Sequence, residues 1–183
     1  PAVLIQAKAK RVHAADSTLA QEAGMEDAPM RPKSAGHMPR ELGPELQLSL
    51  KLAHSEMQDL CEMLEGIADS LPHNLNAGTC TKAAETLEPL VKRIHVFEEQ
   101  EIFPKYAAAN PGSSTMEMLE RLREEHCVDE CYAEELSDAL RRVSSASDPI
   151  SPDTLGYMLR GFFEAMRRHL AFEDAQFVAG RDR

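Results

Sequence analysis

Hydrophobic residues recur at alternating three- and four-residue steps through four long stretches of the chain, and nowhere alternate with polar ones at period two for long enough to make a strand. The spacing therefore predicts an all-α body. The first stretch runs from about Glu45 to Leu71 and stops at Pro72, with His73, Asn74, Asn76 and Gly78 in the following loop. A second covers about Thr79 to Tyr106, with Pro89 as a kink or a late start and Pro104 near its end. Asn110-Pro111-Gly112-Ser113-Ser114 is a loop, after which Ser114 or Thr115 can cap a third helix reaching about Val143. Ser144 to Pro152 is the last loop, and Ser151 or Asp153 can cap a fourth helix that ends near Phe177, before Gly180. Four helices of about 25 residues with short connections predict an up-down-up-down antiparallel bundle, here over residues 44–178 with 179–183 as a tail.

Residues 1–43 read as an arm, because Pro29, Pro32, Pro39, Gly24, Gly36 and Gly43 interrupt them and the apolar period fades. Within it Leu4, Ile5, Val12 and Leu19 can line one side of a short helix beside the basic Lys8, Lys10 and Arg11, a surface open to a protein partner. His13 and His37 lie in this arm and are read as bystanders. The start without methionine and the string Ala35-Gly36-His37-Met38 also fit residues added for expression, so the arm is assigned no function.

Along the inner stripe of each helix the apolar run is broken by residues that ligate metals. Helix one reads Leu50, His54, Met57, Cys61, Leu64, Ala68, Leu71, and helix two reads Leu87, Val91, His95, Glu98 or Glu99, Ile102. Helix three gives Leu119, Leu122, His126, Glu130, Ala133, Leu136 or Ser137, Leu140, and helix four gives Leu155, Leu159, Phe162, Met166, His169, Glu173, Phe177. Each helix thus places one histidine in the core. In an antiparallel bundle all four lie 8 to 11 residues from the same end, roughly 12 to 17 Å at about 1.5 Å per residue, so they share a layer. Three are followed four residues later by glutamate (Glu99, Glu130, Glu173), a spacing that stacks imidazole and carboxylate on one face. Burying such groups together is costly unless a cation compensates. Four nitrogens and two or three carboxylates exceed what one tetrahedral zinc accepts and suit a carboxylate-bridged pair of ions, iron first, with manganese, zinc or mixed occupancy also admitted.

Composition narrows the partners. With 31 Asp plus Glu against 20 Lys plus Arg, a formal charge of −11, the chain lacks the basic face that nucleic acid or an anionic membrane demands. No apolar run approaches the roughly 20 residues needed to cross a bilayer. Four cysteines, Cys61, Cys80, Cys127 and Cys131, at no disulfide-domain density, fit a reducing cytoplasm, and Cys127 and Cys131 are one helical turn apart rather than in a Cys-x-x-Cys step. Glu-x-x-His pairs, His-Glu-x-x-His, Gly-x-Ser-x-Gly and phosphate-loop strings are missing, which removes support for ferritin-like, zincin, serine hydrolase and P-loop chemistry.

With these residues in place, the stretch from about Leu46 to Phe177 resembles the hemerythrin-like, or HHE cation-binding, family. Its most specific string is HVFEEQEIFP, His95 through Pro104, joined by His54, by His126 in Glu-Glu-His and by the closing pair His169 and Glu173. The resemblance implies a non-haem di-iron centre bridged by Glu99 and Glu173, with His54 and His95 on one iron and His126 and His169 on the other. Glu130 stands where oxygen-carrying members place a fifth histidine, which points away from reversible oxygen carriage, and Glu130 itself is a candidate additional ligand. The four-histidine, two-glutamate set resembles the branch containing iron-sulfur-repair proteins and sensors of iron, oxygen or nitric oxide, although the arm lacks a cysteine-bearing module.

Three functions follow. The first is a cytoplasmic di-iron protein whose reduced centre reacts with O2, NO or peroxide for sensing, storage or detoxification, in a pocket walled by Met57, Leu122, Phe162 and Met166. The second is a peroxide-consuming or oxidase-type enzyme at the same centre. The third is an iron-sensing or iron-sulfur-repair module in which metal loading orders the bundle for a protein partner.

Overall fold

In the computed structural model, residues 40–145 and 150–178 are described. The chain divides into two units at residue 38, and the helices belong to the second. Helix α1 spans Pro44–Ser70, α2 Ala77–Phe97, α3 Phe103–Ala109, α4 Ser113–Ser145 and α5 Pro152–Glu173. A π-helical turn, Glu98–Ile102, links α2 to α3, and a second, Asp174–Val178, extends α5. Among the described residues there is no strand.

The boundaries have local causes. Helix α1 opens with Pro44 in its first turn, where a missing N–H is harmless. Asn76 caps α2, its Oδ1 accepting from Thr79 N at 3.0 Å, and Ser151 caps α5, its Oγ accepting from Thr154 N at 3.1 Å. Pro89 lies inside α2, which therefore starts before it, at Ala77. Helix α4 begins at Ser113, so Ser114 and Thr115 sit in its first turn and are not its cap.

Helix α2 packs along α4 and α1 along α5, with α1 against α2 and α4 against α5 closing a four-cornered ring in which chain neighbours adjoin. The inner stripes read from the sequence are buried, except that Leu71, Glu130 and the alternative position Glu99 are half-buried. One apolar cluster fills the body of the bundle with Met57, Leu64, Leu87, Leu136, Leu159, Phe162 and Met166 among its members. A second, smaller cluster holds Leu42, Leu50, Ile102, Phe103, Tyr106, Leu119, Leu122 and Phe177. The four stripe histidines divide the two clusters along every stripe, so a polar layer crosses an otherwise apolar core.

Of the predicted arm, Arg40–Gly43 are described: Leu42 is buried in the second cluster, and Asn110 holds the Arg40 backbone, donating from Nδ2 to its carbonyl at 2.9 Å and accepting its N–H. The remainder of the arm, with His13, His37 and the segment through Leu4, Ile5, Val12 and Leu19, lies outside the described residues. No described helix is long and apolar enough to cross a membrane.

Candidate metal centre

Two departures from α geometry set the site. Pro104 has no N–H and its ring would collide with the carbonyl four residues back, so a continuous α-helix through Gln100 is disfavoured. The chain answers with a wider turn, in which the Phe103 N–H donates to the Glu98 carbonyl. Across this turn Glu98 points into the core, its side chain 1% exposed, while Glu99 lies at the margin, 35% exposed. At the end of α5, Glu173 is fully buried and Asp174, the first residue of the second wide turn, is 40% exposed.

The layer brings together His54, His95, His126, His169, Glu98 and Glu173, all buried. Their donor atoms form two groups, each spanning no more than 4.8 Å: His95, His126 and His169 in one, His54, Glu98 and Glu173 in the other. The rings of His95 and His126 stack in parallel at 3.9 Å, and that of His169 lies 5.1 Å from His126. His54 Nε2 stands 3.2 Å from Glu98 Oε1 and 3.3 Å from Glu173 Oε2. His126 Nε2 is 3.4 Å from Glu98 Oε2, and His169 Nε2 is 3.5 Å from Glu173 Oε2.

Each histidine directs Nε2 inward and Nδ1 at an outer carboxylate. His54 Nδ1 meets Asp174 at 2.7 Å, His126 Nδ1 meets Glu99 at 2.8 Å and His95 Nδ1 meets Glu130 at 3.2 Å. His169 Nδ1 faces Glu125 at 3.4 Å and Asp129 at 3.7 Å. In the neutral ring, a carboxylate on Nδ1 holds the proton there, leaves Nε2 with its lone pair facing the centre and makes it a stronger donor.

Without a bound cation, charge in the layer would be sharply divided. Burial opposes the cation on His54, but the Glu173 and Glu98 carboxylates outweigh it and raise its pKa to about 10. His169 is raised to about 9 in the same way, against burial, chiefly by Glu173. His95 goes the other way, to about 3, through burial and the charges of His126 and His169. Burial and the neighbouring Glu173 push Glu98 up to about 7. Glu173, despite its burial, is held well below the usual carboxylate range by His126, His169 and His54.

The buried atoms His95 Nε2, His126 Nε2, His169 Nε2, Glu98 Oε2 and both Glu173 carboxylate oxygens have no hydrogen-bond partner among the described residues. Leaving one such group unsatisfied costs about 1–3 kcal/mol, and these converge on a single layer. Inward lone pairs and carboxylates in two compact groups are what cations require, so the residues fit a metal site. Independently, residues 49–179 match the hemerythrin HHE cation-binding domain. The chain belongs to the hemerythrin HHE cation-binding family. No curated protein and no solved structure matches it.

The family resemblance and the all-α bundle expected for this hemerythrin domain thus stand, and its four predicted histidines and Glu173 meet in one layer. Three details differ. Glu99, expected as a bridging carboxylate, accepts from the outer nitrogen of His126, and Glu98 takes the inner position. Glu130 likewise stays outside, on His95 Nδ1, one-third exposed. The rings also group as three histidines against one histidine and two carboxylates, not as the pairs His54 with His95 and His126 with His169. Asp174, Glu125 and Asp129 carry no distinguishing signal in the sequence, because an acid beside a core histidine or about one turn after it is common on a solvated helix. Pro104 was the available signal for Glu98, since it loosens the turn in which that residue sits.

Proposed function

We propose that this layer holds two non-haem iron ions between His95, His126 and His169 on one side and His54 on the other, with Glu98 and Glu173 shared, and that the reduced centre reacts with O2, NO or peroxide. The observation that carries the reading is the set of buried, inward donors, among which the Nε2 atoms of His95, His126 and His169, Glu98 Oε2 and both Glu173 oxygens have no hydrogen-bond partner: with His54 the layer offers four imidazoles and two carboxylates, which exceed a tetrahedral zinc site and match the mixed nitrogen and oxygen preference of iron. Bound iron would supply one-electron chemistry toward a small oxidant and a Lewis acid for its oxygen.

The chain's own residues would prepare the site. The outer carboxylates of Asp174, Glu130 and Glu99 would keep the protons of His54, His95 and His126 on Nδ1, while Glu125 and Asp129 face Nδ1 of His169. Phe103, whose ring is 5.5 Å from that of His126, and Leu122 close the layer on one side, while Met57, Phe162 and Met166 belong to the cluster on the other. Such walls exclude bulk water and admit small uncharged molecules more readily than ions. Cys61, Cys80, Cys127 and Cys131 are all free, which supports a reducing, cytoplasmic setting.

Metal analysis after anaerobic iron reconstitution, followed by near-ultraviolet spectra before and after exposure to O2, NO or peroxide, tests this reading. About two irons per chain and a stable spectral change with one of these molecules support it. Fewer than about one iron per chain sinks it. Sustained oxygen evolution from peroxide would instead assign the protein as a peroxide-consuming enzyme.

A further inference from the structure

Cys127 and Cys131 lie outside the metal layer, both exposed and free on α4. Cysteine is among the residues most often buried, because a thiolate in solvent is open to oxidation and metal capture, so two on one helix face call for a role. Four residues apart in an unbroken helix, their Cβ atoms are about 5–6 Å apart on the same side. A disulfide needs about 3.5–4.5 Å between Cβ atoms, so the pair cannot close without unwinding the helix.

The same spacing suits two thiolates on one ion. Zinc–thiolate bonds are about 2.3 Å and bonds to a two-coordinate soft monovalent ion somewhat shorter, so two in line place the sulfurs less than about 4.6 Å apart, within reach of these side chains by rotation about χ1. The donor groups of three among the described residues all lie in the buried layer, and at this face the helix itself presents two thiols. Low coordination number with thiolate donors selects soft monovalent ions, Cu(I) above all, over zinc or iron. Exposed Glu124, one turn before Cys127, and Glu134, three residues after Cys131, add negative potential along the same face.

We propose that Cys127 and Cys131 form a surface dithiolate site for a soft monovalent metal ion of the Cu(I) class, separate from the buried centre. Binding replaces two S–H bonds by two metal–sulfur bonds and releases two protons to solvent, with no change of oxidation state. Buried Cys61 and Cys80 take no part.

The test titrates iron-loaded, dithionite-reduced protein with Cu(I) under anaerobic conditions against the chromogenic chelator bicinchoninate. One Cu(I) per chain is expected to leave the chelator, and Cys127→Ser or Cys131→Ser should each weaken binding at least about 100-fold with iron content unchanged. A variant combining Cys131→Ser with Glu134→Cys keeps two exposed thiols but separates them by about 10 Å along the helix, and should fail equally. Wild-type protein that takes no Cu(I) from the chelator would overturn the proposal. So would Cu(I) retained by the double serine variant or by the separated pair.

Discussion

Replacing Glu98 by glutamine should move the metal-free and metal-loaded proteins in opposite directions. In the free protein the carboxyl has its pKa raised to about 7, with burial the largest cause and Glu173 the next. The folded pKa lies above the ordinary value of 4.5, so from pH 4.5 upward the unfolded chain gives up its proton first and the folded state loses stability. The loss is complete once the pH passes 7, and the difference between about 7 and 4.5 corresponds to about 3–4 kcal/mol at most. Glutamine keeps the shape and stays neutral, so at pH 8 the metal-free variant should be more stable than wild type by up to that amount and indistinguishable from it at pH 4.5. The amide cannot replace a carboxylate shared between cations, so metal affinity should fall by at least about 100-fold, whereas Glu99→Gln, which alters only the partner of His126 Nδ1, should cost about 10- to 100-fold. Urea unfolding of both variants at pH 4.5 and 8, with and without iron, measures all four quantities. A Glu98→Gln protein that loads iron like wild type, beside a Glu99→Gln protein that does not, would refute the inner placement of Glu98.

Other consequences can be measured separately. His54 and His169 carry protons up to about pH 10 and 9 when no metal is bound, so loading at neutral pH must expel both, with a further fraction from Glu98 near pH 7; apparent affinity should rise at least about 100-fold per pH unit between 7 and 8, which a metal-buffer competition series would show, and a pH-independent affinity would contradict it. Asp174→Asn should weaken metal binding by about 10- to 100-fold with the helical circular dichroism unchanged, because it alters the 2.7 Å contact to His54 Nδ1 and little else. His169→Ala should lose metal and metal-dependent thermal stability together, while His73→Ala, in an exposed loop, should change neither. Gly161→Ala would drive a methyl group into the Tyr132 hydroxyl, which donates to the Met158 carbonyl at 2.9 Å; it should lower stability by about 1–3 kcal/mol in thermal melts and leave iron stoichiometry intact.

The bundle was legible because its signal is redundant. Four apolar stripes, punctuated at Pro72, Asn110-Pro111-Gly112 and Ser151-Pro152, agree on helix number, length and direction, and an error of two residues at Ser113 changes nothing downstream. The layer of four histidines was legible for the same reason, since depth from one end follows from helix length alone. The choice between Glu98 and Glu99 was not, because adjacent residues on a helix differ by about 100° and both fall near the inner stripe of His95. The wider turn that Pro104 favours buries Glu98 and leaves Glu99 at the margin, which periodicity cannot see. The outer carboxylates were hidden more deeply. Glu130 and Asp174 look like members of a solvated acidic surface until the neighbouring helix brings His95 or His54 against them. The −11 charge therefore also includes acids that face the interior, Glu98 and Glu173 buried in the layer and several as partners of imidazole nitrogens.

The most direct test of the central claim is an anomalous difference map, collected at the iron absorption edge, from crystals of the iron-reconstituted protein. It should show two peaks within the layer, one against the Nε2 atoms of His95, His126 and His169 and one against His54, with Glu98 and Glu173 reaching both. A single peak, or peaks held by Glu99 and Glu130 with Glu98 turned away, would contradict it.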